Sequence, residues 1–396
     1  MNYEKLFADR AEIMSVSAIR EILKVVNQPG MISLAGGIPA PESFPMDILE
    51  QLCSDVIKKY GDKAFQYDLT EGFIPLREAL VGFVGRKGIE TKVDNIMITT
   101  GSQGVLDSIG KILLNKGDKV AVEAPTYLGA IQAFNPYLPE YISMETDEDG
   151  LIPESLEGTL KNHNIKMVYL VPTFQNPTGR TIPIDRRKRI AEIIKKNDAF
   201  LVEDDPYGEL RYRGDKVAPI QTLAPDNVLY TSTLSKLFAP GLRIGYFIAP
   251  PKISYMMVMA KQGVDLHTST FSQALAAEYI SAGHMDKQIP KIISVYKPRQ
   301  EAMLEAISEN FPKGFNWSKP EGGMFIWAEG PQGANMEDIY YKAIKEKVAF
   351  VPGKFFYTKK GQGLETMRLN YSKADEKTIK DAIKRLSEVL KSEINN

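Results

Sequence analysis

The segment Ser232-Thr233-Leu234-Ser235-Lys236 sets a primary amine among hydroxyls, and Arg243 follows seven residues after the lysine in Gly241-Leu242-Arg243-Ile244-Gly245-Tyr246. An amine nucleophile beside groups able to hold a phosphate is what an aldehyde cofactor bound as an imine requires, and pyridoxal 5'-phosphate is the cofactor this suggests. A second constellation is Leu201-Val202-Glu203-Asp204-Asp205-Pro206-Tyr207. Consecutive acids can bind a metal, but hard cations usually collect oxygen ligands from more varied directions. One inward carboxylate, Asp204, paired with a cofactor's pyridinium nitrogen accounts better for the placement, with Pro206 and Tyr207 shaping the same pocket.

Two turns complete the set. Asn176-Pro177-Thr178-Gly179 has strong turn chemistry and falls where a strand end would deliver an amide into a ligand crevice. Thr99-Thr100-Gly101-Ser102-Gln103-Gly104 joins a strand to a helix carrying Val105, Ile109 and Leu113. Its free amides and helix dipole suit a phosphate, with Ser102 adding a hydroxyl; the alternative is the N-cap of a buried helix.

These residues need a scaffold that gathers strand ends. Short apolar runs at Ile96 to Thr100, Lys119 to Glu123, Met167 to Val171, Phe200 to Glu203, Val228 to Thr231 and Ile244 to Ala249 alternate with helical segments. They read as strands of a mainly parallel sheet covered by helices, an α/β class whose ligands sit at the strand ends. After about residue 288 a polar helix (Ile289 to Glu309) leads to strands around Met324 to Ala328, Ala349 to Val351 and Thr366 to Asn370, then a closing helix from Asp375. This is a second, smaller α+β domain. Residues 14 to 26 carry Ile19, Ile22, Leu23 and Val26 at helical spacing, and Pro29-Gly30 ends that helix. The resulting division is 1–44 as an N-terminal helix and substrate-site segment, 45–288 as a large cofactor-binding domain and 289–396 as a small C-terminal domain, with the N-terminal segment beside the small domain.

Composition narrows the partners. Lys plus Arg (49) nearly balances Asp plus Glu (50), so no overall field draws the chain to nucleic acid or an anionic membrane. No apolar run approaches a membrane span, and Met1-Asn2-Tyr3-Glu4-Lys5 does not open like a signal peptide, so a cytoplasmic protein is expected. Cys53 is the single cysteine and there are three separated histidines, so neither an intrachain disulfide nor a metal site is expected. The basic run Arg186-Arg187-Lys188-Arg189 reads as the solvated face of a helix.

Taken in order, Tyr67, Gly101-Ser102-Gln103, Pro125-Thr126-Tyr127, Asn176-Pro177-Thr178-Gly179, Asp204-Asp205-Pro206-Tyr207, Ser235-Lys236 with Arg243, and Met367-Arg368-Leu369 resemble the fold-type I pyridoxal-phosphate aminotransferases of class I/II. Ile19-Arg20-Glu21-Ile22-Leu23, Ser33 to Glu42, Ala260 to Thr268 and Pro320 to Phe325 are similar to the 2-aminoadipate and kynurenine/α-aminoadipate branch. The resemblance implies that Lys236 holds the cofactor covalently, Asp204 pairs with its ring nitrogen, Asn176 and Tyr207 bond its ring oxygen, and Tyr127 stacks on the ring. Ser102, Gln103, Thr233, Ser235 and Arg243 would hold the phosphate, with Tyr67 reaching that of a neighbouring subunit in a homodimer with shared sites. Arg368, with Asn176 and the Gly37 loop, would receive the substrate α-carboxylate, and Arg20 an acidic side chain.

The activity this implies is transfer of an amino group from 2-aminoadipate, glutamate, leucine or an aromatic amino acid to a 2-oxo acid, 2-oxoglutarate first. Lys236, Asp204 and Tyr207 would be catalytic. The nearer alternative is an aromatic or branched-chain aminotransferase or another enzyme on this fold, since fold does not fix the reaction. The remote one is a non-catalytic cofactor-sensing regulator, disfavoured by the short stretch before the first helix and the lack of a basic recognition segment.

Overall fold

The computed structural model describes residues 1, 3–12 and 29–394. A seven-stranded sheet runs in the order Ile96–Thr100, Ile244–Ile248, Val228–Thr233, Leu201–Asp204, Ile165–Leu170, Lys119–Glu123, Glu140–Met144. Every neighbouring pair is parallel except those made by Ile244–Ile248, which runs antiparallel to both neighbours.

Strand alternation buries both faces. Met97, Val120, Val122, Met167, Tyr169, Val202, Leu229 and Phe247 face one core, filled by Val105, Leu106 and Ile109 of the helix Ser102–Leu113. Each of those three helix side chains is fully buried, worth about 1.5–3 kcal/mol apiece. On the other face, Ala121, Val168, Leu170, Leu201 and Val228 pack under Ile184–Lys196, while Ile96, Ile98, Tyr230 and Tyr246 join the core that includes Ile74–Gly85. Burial on both sides is why these strands read as apolar runs. Glu140–Met144, which the apolar pattern of the sequence does not mark, is an edge strand whose first four residues are exposed or half-buried.

A four-stranded antiparallel sheet follows, ordered Asn316–Trp317, Phe325–Glu329, Thr366–Asn370, Val351–Pro352. It is backed by two helices packed on each other, His284–Asn310 and Glu376–Ile394. The run expected around Ala349 to Val351 divides at the buried Phe350: Val351–Pro352 stays in this sheet, and Val348–Ala349 pairs in parallel with Ile32–Ser33. The segment after Pro29-Gly30 is thereby stitched to the small sheet, with Asn370 N donating to Leu34 O at 2.8 Å. The helix expected over 14–26, and Arg20 with it, lies outside the described residues.

The basic run on Ile184–Lys196 departs from expectation at Arg187, which is 1% exposed. Its guanidinium donates to Ile182 O, Ala218 O, Pro172 O and Thr173 Oγ1 at 2.7–3.1 Å, tying down the loop that leads to Asn176. A buried guanidinium is tolerable because its donors are met by carbonyl and hydroxyl acceptors.

Candidate active site

The parallel strands end on one edge of the large sheet, and the chemistry-bearing residues follow those ends. At Leu201–Asp204 the two-residue period decides which acid faces the site. Asp204 shares a face with Val202 and Tyr169, and its Oδ2 accepts from the Tyr169 hydroxyl at 2.8 Å. Its Oδ1 is buried with no hydrogen-bond partner. Burial pushes the carboxyl up to about 7 against the pull of that hydroxyl, with Asp205 adding to the rise. The three acids part company: Glu203 accepts from Ile220 N and Gln221 N, and Asp205 from Lys87 and Tyr230.

The next strand, Val228–Thr233, runs into a short turn, Leu234–Lys236, capped by Thr233. Thr233 Oγ1 donates to Ile244 O at 2.9 Å and lies 2.9 Å from Ser235 Oγ. Lys236 emerges half-buried, and its Nζ donates to Gly37 O at 2.8 Å. Burial lowers its pKa to about 8, helped by the Arg368 and Arg243 guanidinium groups. An amine so placed is neutral in a useful fraction of molecules near neutrality, as a nucleophile must be.

Ser102 opens its helix behind Gly101, whose φ of 72° and lack of a side-chain cap leave the first amides free. Arg243, with φ of 55°, lays its guanidinium against Gly101, where any Cβ would overlap it. A Cβ on Gly245 would likewise overlap Gly101 and the Ser102 amide. The glycines thus let a guanidinium and a helix N-terminus converge, which is an anion cradle. Gln103 is exposed and donates to Gly129 O at 2.9 Å.

Arg368, from the inner strand Thr366–Asn370 of the small sheet, is 2% exposed. It donates to Asn176 Oδ1 at 2.7 Å and to Ala35 O at 2.6 Å, and its Nε has no partner. Its guanidinium lies 4.3 Å from the Phe325 ring centre and 5.0 Å from that of Phe356. Burial lowers its pKa to about 10, and the neighbours that act against this fall are Tyr207 and Tyr127 rather than a carboxylate. Asn176 Nδ2 donates to the Tyr207 hydroxyl at 3.4 Å. Burial holds Tyr127 up at about 12, so its ring remains a neutral phenol.

Gly37, Ser102, Gln103, Tyr127, Asn176, Asp204, Tyr207, Thr233, Ser235, Lys236, Arg243 and Arg368 all line one cavity of ≈ 400 Å³. Two candidates stand apart. Tyr67 is 78% exposed, outside the cavity and edge-on to His267, and Arg20 lies outside the described residues. Val171, Pro240 and Phe325 help complete the wall. The partner of Asp204, Tyr169, does not stand out in the sequence, where it reads as one more apolar strand residue.

Pyridoxal 5'-phosphate fits this donor set on three counts. A buried carboxylate oxygen lacks a donor, an anion cradle lies where a phosphate would need it, and a lysine of lowered pKa faces the same space.

Comparison with known proteins agrees. Residues 44–386 match the family described as aminotransferase class I and II. The chain is 46% identical to aromatic-amino-acid aminotransferase 1 of Thermococcus litoralis over 100% of this chain and 96% of that one. Its fold superposes with a TM-score of 0.96 on a Pyrococcus horikoshii kynurenine aminotransferase solved with PMP, KYN as substrate and KYA as product, at 47% identity, covering 99% of this chain and 98% of that one. It superposes at 0.93 on the α-aminoadipate aminotransferase of Thermus thermophilus complexed with N-(5'-phosphopyridoxyl)-L-leucine, at 36% identity and full coverage (100%) of both.

Proposed function

The chain belongs to the class I and II aminotransferases, and from that premise we propose that it binds pyridoxal 5'-phosphate in this cavity and moves an amino group from aromatic or acidic L-amino acids, 2-aminoadipate and glutamate among them, to 2-oxoglutarate. The observation that carries the reading is the unpartnered Asp204 Oδ1, buried in the cavity that also receives the Lys236 amine. When bound, the cofactor supplies an electron sink that acidifies the substrate Cα–H.

The rest is the work of the chain's own residues. Asp204 would hold a negative charge against the ring nitrogen, and Asn176 and Tyr207 would hold the ring oxygen. Ser102, Thr233, Ser235 and Arg243 anchor the phosphate. Arg368 takes the substrate α-carboxylate: its buried guanidinium has an unused Nε, and a carboxylate would relieve the cost of its burial. Lys236 would hold the cofactor, and its Nζ as a free amine would take the substrate Cα proton and give it back in the second half of the reaction. The Thermococcus and Pyrococcus relatives support aromatic donors, and the α-aminoadipate relative supports acidic ones.

We further assign the working form to a cytoplasmic homodimer with shared sites. Phe65, Tyr67, Leu69, Val264 and Leu266 are exposed apolar side chains, and no described helix is long and apolar enough to cross a membrane.

The test is a panel of acidic, aromatic and branched-chain donors against 2-oxoglutarate, followed by loss of the cofactor's absorbance band, with Lys236→Ala alongside. Turnover should require Lys236 and favour acidic and aromatic donors. Arg20→Ala should weaken the acidic donors selectively. Sustained turnover by Lys236→Ala, or no transfer from any donor in the panel, would refute the reading.

A further inference from the structure

Lys87 follows the helix Ile74–Gly85 and reaches the face of the large sheet opposite the cavity, the face of Tyr230. Its Nζ donates to Asp205 Oδ2 at 2.8 Å and to the Tyr230 hydroxyl at 3.1 Å, and lies 3.5 Å from Glu209 Oε1. The Tyr230 hydroxyl donates to the same Asp205 oxygen at 2.7 Å. The side chains of Lys87, Asp205 and Glu209 are 9%, 6% and 8% exposed.

The chain between the two acids is Pro206-Tyr207-Gly208, and both Pro206 and Tyr207 line the cavity. One ammonium therefore grips both ends of the turn that delivers Tyr207. The turn is drawn tightly onto Asp205: a Cβ on Gly208 would lie 2.5 Å from Asp205 Oδ1. The main chain at Asp205 is pinned from the sheet as well, its N donating to Thr231 O at 2.9 Å and its O accepting from Ser232 Oγ at 2.7 Å. Burial works against the charge on Lys87, but Asp205, Tyr246 and Glu209 outweigh it and raise its pKa, so the clamp stays closed across the working range. A buried ion cluster of this kind is a poor source of stability, because well-packed apolar replacements often do as well or better. What apolar residues could not reproduce is the fixed span between Asp205 and Glu209.

We propose that Lys87 is a positioning residue: from behind the sheet it clamps Asp205 to Glu209 and thereby fixes the Tyr207 hydroxyl opposite Asn176, where the cofactor's ring oxygen is held. The inference rests on the reading of Tyr207 as a ligand of that oxygen.

The test uses the enzyme loaded with pyridoxal 5'-phosphate and reads two quantities: the pH midpoint of the cofactor's absorbance change, and the rate of cofactor release. Lys87→Met alone strands the buried Asp205, while Glu209 keeps Lys216 at 3.0 Å. The informative variant is Lys87→Met/Asp205→Asn/Glu209→Gln, which keeps volume and leaves no buried charge unpaired; Lys216, which loses Glu209, is exposed to water. Glu209→Gln, which spares the Lys87–Asp205 pair, serves where the larger set does not fold. The triple variant should move the midpoint in the same direction as Tyr207→Phe, by about 0.5–1 pH unit, the worth of one weakened hydrogen bond. It should release cofactor about tenfold faster, as a small misplacement can. Added to Tyr207→Phe, it should change neither quantity further. A folded triple variant with wild-type midpoint and release, or an effect equally large in the Tyr207→Phe background, overturns the clamp alone. A silent Tyr207→Phe overturns the clamp together with the reading of Tyr207.

Discussion

Replacing Tyr169 with Phe removes one hydroxyl from beneath the site and leaves the ring, edge-on to Phe134 at 5.9 Å, in place. That hydroxyl is the donor to Asp204, 2.8 Å from Oδ2, and it stays protonated because burial and the nearby Asp204 charge both raise its own pKa. A hydrogen bond to an ionised acceptor is worth about 1.5–3 kcal/mol, or about 1–2 pKa units. Asp204 already stands at about 7 through burial, with the hydroxyl pulling down. In the variant it should titrate about 1–2 pH units higher. On the proposed pairing of Asp204 with the ring nitrogen, only the ionised carboxylate binds, and the acid limb of cofactor affinity should follow Asp204. The assay is the equilibrium affinity of cofactor-free protein for pyridoxal 5'-phosphate across the pH range from acid to mildly alkaline. On the acid side Tyr169→Phe should bind about 10–100-fold more weakly, a tenfold loss for each pH unit by which the carboxyl titrates higher, and the two curves should converge as pH rises. Superimposable acid limbs would show that Asp204 does not depend on Tyr169 for its charge, and would remove the argument.

The cofactor-free protein should lose thermal stability as pH rises from about 5 to about 8. Glu123, Glu203 and Asp204 are each raised by burial to about 7; a folded pKa above the unfolded one gives stability that is full below the unfolded value and lost as pH rises through the folded one, on the order of 2–3 kcal/mol per group over this window. Added cofactor should shrink that fall by pairing with Asp204, and a melting temperature that held flat or rose over this window would contradict the burial argument. For assembly, a Tyr67→Ala/Lys236→Ala chain mixed with wild type should form heterodimers whose one lysine-bearing site lacks its tyrosine and is impaired; full activity at that site would show that Tyr67 does not reach across.

The parallel core was legible because its strands are apolar on both faces. Ile96–Thr100 and Lys119–Glu123 there, and Thr366–Asn370 in the small antiparallel sheet, have the bounds their residues suggested. Glu140–Met144 was not legible, since an edge strand with half-exposed side chains lacks that signal. Nor does composition carry direction: Ile244–Ile248 is as apolar as its neighbours, yet runs against them. Arg187 shows the limit of reading a charge run as a face. Its neighbours Arg186, Lys188 and Arg189 pair with carboxylates at the surface, while the helical period turns Arg187 inward onto carbonyl oxygens.

The site was more legible than its supports, and the reason is sequence distance. Lysine, arginine, asparagine and aspartate beside turn residues at strand ends announce themselves locally, because the turn and the functional group occupy the same few positions. Tyr169 lies 35 residues before Asp204, and Lys87 lies 118 before Asp205. One reads as core and the other as a residue just past a helix. Even so, the period of two at Glu203-Asp204-Asp205 already sends the middle acid to one side and its neighbours to the other. The outer two must then find donors away from the cavity, since a buried carboxylate without them would not stay charged. Glu203 finds two backbone amides, and Asp205 finds Lys87. A strand end that must present one carboxylate to a ligand therefore carries, on its other face, the demand for buried donors, met here by backbone amides at Glu203 and by a cation at Asp205. Which residue meets that demand is written only in the fold.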